Sequence, residues 1–432
     1  MSPTNPTTLQ AVSSSIAADT SFVEEVRSKD CLITLRRAEG PNATELFFSC
    51  KPTGLGQNAA EQAKAMYLAA KDLLKTEGGG LDTIVSETIF MGDMESDIES
   101  VRRARAEVVA EEQSCIPAMT EIQQPPLDKN AKLELAIQAI LPRAITVKKQ
   151  QVCATTGCTC GECERSTGIL ITMGDEDRLM AGALCGDGDN AYDQTWSMFE
   201  LAEKLLHEAG MEFTDVVRTW IYLREMERDY YPGLNKARRE FFDSRGIDPV
   251  PASTGIEGGM VNSKHDICMS IYAVKSGKPL MRTIMTTPTL NEAGEYGADF
   301  TRGMRMTEAN KVALHVSGTA SIDEAGLTAH IDDVASQIDR MILNIKTLLE
   351  NQGAGFEDIM YAYNYLKDPV NEQLLRDKFK EAGFEGFPSV FVHAEVCRPD
   401  LLCETEVFAS VPLDRANKAG PKARGYVRPV SV

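Results

Sequence analysis

The chain has 432 residues, 43% of them hydrophobic, and a formal net charge of −19. That length holds roughly two to four domains with enough apolar residues to fill their cores. The acidic balance excludes a nucleic-acid binder, because a phosphate backbone needs a basic stripe and the short basic run from Lys418 to Arg428 reads as a solvated end.

The first segment, MSPTNPTTLQAVSSSIAADT, lacks the charged and apolar regions of a secretion signal and reads as part of a polar, disordered tail over 1–27. No run approaches 18 consecutive apolar residues, so no membrane partner is expected. Eleven cysteines, an odd number spread along the chain, fit a reducing compartment, and a cytoplasmic location is expected.

From residue 28 the chain says nearly the same thing three times. The first unit, 28–146, has a strand ending in LFFSCKPTG, then a helical phrase from Gln62 (QAKAMYLAAKDLLKTEGGGLDTIVSETIFM). A Cys-rich linker over 147–166 follows. The second unit, 167–276, repeats the plan with GALCGDG and the phrase from Gln194 (QTWSMFELAEKLLHEAGMEFTDVVRTWIYL). A connector over 277–299 leads to the third unit, 300–412, with ALHVSGTAS and the phrase from Gln337 (QIDRMILNIKTLLENQGAGFEDIMYAYNYL); a tail fills 413–432. The spacing far exceeds the roughly 20 to 50 residues of a solenoid repeat, so each copy is a small domain.

Within each phrase, apolar residues recur at three- and four-residue steps, as in Met198, Leu201, Ala202, Leu205 and Leu206, which predicts a helix with one buried stripe. After a Gly-containing break comes alternation. Val217, Thr219, Ile221 and Leu223 share one face of a strand, and Arg218, Trp220 and Tyr222 the other. A second helix and a final strand close each unit. The fold class expected is α+β, each unit a mixed sheet with two helices on one face. The free sheet faces are expected to meet in an intramolecular pseudo-trimer with clefts between neighbouring copies. This pseudo-trimer is expected to stay monomeric or to self-associate further.

The helix–Gly–acid–strand core, with its Pro-led strand and terminal E-x-E, resembles the Rid (YjgF) family of small trimeric enamine/imine deaminases. The second and third units together resemble the chorismatases, through RTWIYL (218–223), PASTGI (251–256), YGADFTR (296–302), VSGTASI (316–322) and AEVCRPDLLCETE (394–406). The first unit is a more diverged Rid-like copy. Rid deaminases hold the substrate carboxylate with an Arg just after the Pro of the Pro-led strand. Here Met119, Ser253 and Val390 stand there, which counts against ordinary deamination. The chorismatase resemblance implies hydrolysis of an enolpyruvyl ether such as chorismate, releasing pyruvate without a catalytic cofactor, at the cleft between units two and three. A Rid-type deaminase is one alternative, and a non-catalytic ligand-binding or metal/redox scaffold another.

Glu404 is the lead catalytic candidate. Flanked by Leu402, Cys403 and Val407, its carboxyl is expected to titrate high and to donate a proton near neutral pH, as protonation of an enol ether requires. The resemblance places the family's acid at this residue. Glu406 reads as a solvated strand residue. Cys397 is a pocket candidate by resemblance, not a nucleophile. Arg302, Lys367 and Arg398 are candidates for holding the carboxylates of a small anionic metabolite against the unfavourable global charge. Ser253, Thr254, Gly255, Ser317, Gly318 and Thr319 offer hydroxyls and exposed amides, and Tyr296 a pocket wall. His315 and His393 read as core histidines. Cys153, Cys158, Cys160 and Cys163 lie close enough to hold a structural zinc or an iron–sulfur cluster, or to form a local disulfide, although their spacing matches no common zinc ribbon.

Overall fold

The structure is a computed structural model that describes residues 10–12, 23–54, 56–110, 112, 115–154, 167–226, 230–260, 265–277, 281–296, 298–308 and 310–419. The first unit contains β1 (Gln10–Val12), β2 (Glu24–Arg27), β3 (Cys31–Glu39), β4 (Ala43–Pro52), α1 (Ala59–Thr76), β5 (Ile84–Met91), α2 (Met94–Val109), β6 (Ala118–Gln123) and β7 (Leu133–Pro142). The second contains β8 (Val147–Cys153), β9 (Thr167–Met173), β10 (Glu176–Cys185), α3 (Ala191–Glu208), β11 (Val216–Leu223), α4 (Tyr230–Arg245), β12 (Ala252–Glu257) and β13 (Ile267–Ser276). The third contains β14 (Met281–Ile284), β15 (Gly303–Thr307), β16 (Lys311–Ala320), α5 (Val334–Glu350), β17 (Ile359–Leu366), α6 (Glu372–Glu381), β18 (Ser389–His393), β19 (Cys403–Pro412) and α7 (Leu413–Ala419).

The three sheets repeat one order: β6-β5-β7-β4-β3-β2-β1, β12-β11-β13-β10-β9-β8 and β18-β17-β19-β16-β15-β14. In each, the Pro-led strand pairs parallel with the strand after the first helix, and the other neighbours are antiparallel. Strands also form in segments expected to be tail, linker and connector: β1 and β2, β8, and β14. These edge strands are short or largely exposed, so they carry little of the alternation that marks a half-buried strand.

The repeat is physical down to its helix ends. Side chains of Asn58, Asn190 and Asp333 cap α1, α3 and α5 by accepting from the backbone N–H groups of Glu61, Asp193 and Ser336. Gly78, Gly210 and Gly353 end them at φ of 85°, 71° and 76°, a left-handed conformation that glycine adopts without strain. The next amide donates back to Leu74, Leu206 and Leu349, closing the same loop three times. Each unit then buries its helices on its own sheet. In the second unit Phe199, Phe213, Phe241 and Phe242 form an aromatic cluster at centroid distances of 5.1–5.7 Å between Phe199 or Phe213 and the other rings. Truncating Phe241 to Ala there would cost about 3–5 kcal/mol.

The opposite sheet faces meet one another. Phe47 and Ile140, Met180 and Tyr272, and Met306 and Phe408, drawn from the three units, share one core. A buried ionic clasp joins the units beside it. Arg178 lies 3.0 Å from Glu45 and 3.4 Å from Glu308, and Lys311 also pairs with Glu45. Arg36 of the first unit donates to the carbonyls of Glu357 and Gly386 in the third. The arrangement is an intramolecular pseudo-trimer. Beyond the third sheet, α7 packs Ala416 into the core, where a solvated tail was expected. Among the described residues, no helix is long and apolar enough to cross a membrane.

Candidate active site between the second and third units

Strand β12 of the second unit lies along β16 of the third. The Ser253 amide donates to Ser317 Oγ at 2.9 Å, and the Gly318 amide to Thr254 Oγ1 at 2.9 Å. The register between β16 and β19 shifts between Val316 and Thr319, a bulge that re-aims the backbone at Gly318. A Cβ on Gly318 would collide with Glu404 Oε1 and with Thr254, so the close approach of strand and carboxyl requires glycine.

Glu404 lies on β19 opposite Ala320 and Tyr365 and is 4% exposed. Burial pushes its carboxyl up to about 8, and the Glu406 charge pushes the same way. Arg302 and Arg218 pull it down, but desolvation wins. Burial thus favours the neutral, proton-bearing form of Glu404 near neutral pH. Glu406, read from sequence as solvated, is buried instead: Arg218 donates to it at 2.8 Å and Trp220 Nε1 at 2.6 Å. Its position two residues from Glu404 puts both carboxyls on the inward face of the sheet, so solvation was the wrong expectation.

A recess of about 450 Å³, counting its open mouth, has Glu404 in its wall. It brings together the expected residues Ser253, Gly255, Arg302, Gly318, Cys397 and Arg398. Arg302 donates to the Asn291 carbonyl at 2.7 Å and its guanidinium lies 5.4 Å from the Phe300 ring centroid. Arg398 donates to the Gly326 carbonyl at 2.8 Å. Cys397 is a neutral thiol, pushed up to about 12 by burial and by Glu404.

Other expected residues stand behind the recess. Ser317 donates to the Thr301 carbonyl, Thr319 to the Ser317 carbonyl, and Thr254 bridges Gly318 and Arg218. Lys367 points elsewhere, paired with Glu395 at 2.7 Å. Tyr296 ends a short helical turn, and its side chain lies outside the described residues. Cys153 ends β8, while Cys158, Cys160 and Cys163 lie outside the described residues. His315 is buried as expected; burial pushes it down to about 3, and its Nε2 has no hydrogen-bond partner.

Sequence reasoning missed Tyr231, Arg238, Phe300 and Leu401 in the recess. Arg238 is 3% exposed on α4, and its guanidinium shares the Phe300 ring with Arg302, at 5.5 Å. A buried Arg among the apolar positions of an amphipathic helix was the signal available. Glu292, in the connector, was also missed; burial pushes it up to about 7 against the pull of Arg302.

A family model described as Endoribonuclease L-PSP matches residues 48–141 and 167–275. A solved structure titled as a chorismatase superposes with TM-score 0.54 at 16% identity, covering 76% of this chain and 93% of that one, which shows a shared fold. The two matched segments and the three similar sheets support a Rid-like superfamily with repeated units in one polypeptide. It is 27% identical over 237 residues to a 3-hydroxybenzoate synthase of Streptomyces hygroscopicus, covering 49% of this chain and 66% of that protein, just under two thirds of its length. It is also 27% identical over 106 residues to the 3-aminoacrylate deaminase RutC of Acinetobacter baylyi, covering 24% of this chain and 83% of that protein.

Proposed function

We propose that the cleft between the second and third units hydrolyses an enolpyruvyl ether, chorismate or a close relative, and releases pyruvate. The observation that carries this reading is the buried, protonated Glu404 in a recess lined by Arg238, Arg302 and Arg398. An enol ether is stable to hydroxide and opens only when its methylene carbon takes a proton. A carboxyl neutral at pH 7 supplies that proton, and the guanidinium groups bind the substrate carboxylates. The resemblance to chorismatases and the similarity to a 3-hydroxybenzoate synthase support the substrate class.

The steps balance. Glu404 protonates the methylene carbon, and the ether carbon becomes an oxocarbenium ion. Water adds there, giving a hemiketal. The hemiketal breaks to pyruvate and the ring alcohol, and a water-derived proton restores Glu404. The neighbouring Glu406 is held as an ion pair with Arg218, so its charge raises the Glu404 carboxyl without competing for the substrate.

The test is pyruvate release from chorismate by the purified chain beside its Glu404→Gln variant. Release that falls at least about 100-fold in the variant is expected. No release from the parent chain, or undiminished release from the variant, overturns the proposal. A parallel assay for ammonia release from a 2-iminoacid separates it from deamination.

A further inference from the structure

The position that Glu404 occupies in the second–third cleft is taken by another residue in the cleft between units one and two. Glu404 pairs with Tyr365 of β17, and the equivalent partner of Tyr222 on β11 is Cys268. Across the sheet on the other side, Glu404 faces Ala320 of β16, whereas Cys268 faces Cys185 of β10. A carboxyl facing a methyl group has become a thiol facing a thiol. The Cys268 thiol is hydrogen-bonded to Cys185 and fully buried, and this bond together with burial holds it well above its usual titration range. Cys185 is half-buried at the strand end, beside the exposed Asp187, and its Sγ lies 3.4 Å from the Ala183 carbonyl. Ala183 sits in the β10 bulge at φ 50°, in the left-handed region, so the strand end that carries Cys185 is locally strained.

We propose that Cys185 and Cys268 are a thiol modification site that closes reversibly to a cross-strand disulfide on reaction with a small-molecule disulfide. Directly opposed residues of antiparallel strands hold their Cβ atoms roughly 4.5–5.5 Å apart, close enough to be bridged after a small backbone adjustment. The more accessible Cys185 reacts first. Its thiolate attacks one sulfur of the small disulfide, that S–S bond breaks, and one thiolate leaves. The Cys268 thiol gives its proton to solvent and attacks Cys185 Sγ, and the second small thiolate leaves. Two protein thiols are oxidised and one small disulfide is reduced to two thiols. The bond would tie β10 to β13 across the bulge, at the strand position where the second–third cleft keeps its acid.

The chain carries its own control. The free Cys50 thiol is hydrogen-bonded to Cys31 and both are fully buried, but they stand diagonally: Cys31 opposes Pro52, and Cys50 opposes Ile33. The experiment treats the full-length chain with glutathione disulfide, alkylates the remaining thiols, and maps the peptides. The expected result is a disulfide-linked peptide pair joining Cys185 to Cys268, apart from any link within the Cys153–Cys163 cluster, both thiols protected together and both released by reductant. Cys31 and Cys50 stay alkylatable after unfolding. In Cys268→Ser, a mixed disulfide with glutathione accumulates on Cys185, because no second thiol resolves it. Full alkylation of Cys185 and Cys268 after treatment, or a stable mixed disulfide on Cys185 in the parent chain, overturns the proposal. Either result leaves the reading of the Glu404 cleft untouched.

Discussion

The second–third cleft and the third–first cleft start from the same strand register and end in different chemistry. Glu404 on β19 opposes Tyr365 and Ala320; Glu134 on β7 opposes Phe90 and, one step beyond the Cys50–Leu135 pair, Lys51. Burial pushes both carboxyls up, to about 8 at Glu404 and about 7 at Glu134. Their surroundings diverge. The β16–β19 ladder is bulged at Gly318, while β4 pairs with β7 from Ala43 to Cys50 without a shift. Glu404 opens on a recess with three arginines in its wall. Glu134 is buried and feels the ammonium of Lys51, which is itself 2.9 Å from Asp128. A buried carboxyl at the right register is thus insufficient. The bulge and the glycine at 318 let the backbone step aside and make room for the Glu404 carboxyl itself.

That comparison breaks first at the carboxyls themselves. Glu404→Gln is expected to remove pyruvate release by about 100-fold or more, and Glu134→Gln to leave it within about 2-fold. Equal losses in the two variants, with both folded by circular dichroism, would show that the clefts are not distinguished as argued.

Arg218 sharpens it next. The guanidinium is 2% exposed and donates to Glu406, which is 1% exposed. In the third–first cleft the matching positions are Tyr361 and Ala136, which carry no charge to leave unpaired. Arg218→Ala strands the Glu406 carboxylate and is expected to destabilise the chain by about 3–5 kcal/mol, measured by urea unfolding. Arg218→Met with Glu406→Gln should recover most of that loss. A single substitution costing less than about 1 kcal/mol would mean that Glu406 is already neutral in the parent.

The pH dependence of stability follows from Glu404. Its folded-state value lies above its ordinary value of 4.5, so the fold binds its proton more tightly than the unfolded chain does. The resulting stability is fully present below about pH 4.5 and is lost as pH rises towards about 8. Glu404→Gln cannot lose it, and at pH 9 the variant should exceed the parent by an amount on the order of a few kcal/mol. Stability curves that stay parallel from pH 5 to pH 9 would show that Glu404 does not titrate between these limits. Turnover by the parent should fall over the upper end of the same window, as the acid loses its proton.

The repeat, the helices, their glycine stops and the buried setting of Glu404 were legible in the sequence because each depends on residues close along the chain. Three similar phrases, a helical stripe of Met198, Leu201, Ala202 and Leu205, and a Glu among apolar neighbours are local patterns. Arg238, Tyr231 and Phe300 were not legible as wall residues. They reach the recess through packing of α4 against the start of the third unit, and no local spacing encodes that. The bulge at Gly318 was hidden for a related reason: register is a property of two strands, and Glu404 and Val316 are far apart in sequence. Lys367 became a candidate through the family resemblance, and its ammonium is paired with Glu395 at 2.7 Å.

The smallest effect tests the far cleft alone. Lys51 and Arg376 both lower the Glu134 value, while burial raises it and prevails. Lys51→Met removes one of the two cations and keeps the length of the apolar stem. Glu134 should then titrate higher still, read from the carboxyl resonance of isotope-labelled Glu134 against pH. Stability should fall by less than about 1 kcal/mol, because the Lys51–Asp128 pair is partly exposed and such pairs contribute little. Glu404 should titrate as in the parent. An unchanged Glu134 titration would mean that Lys51 spends its charge on Asp128 rather than on the buried carboxyl, and that burial alone separates the two clefts' carboxyls from the solvent-exposed acids elsewhere on the chain.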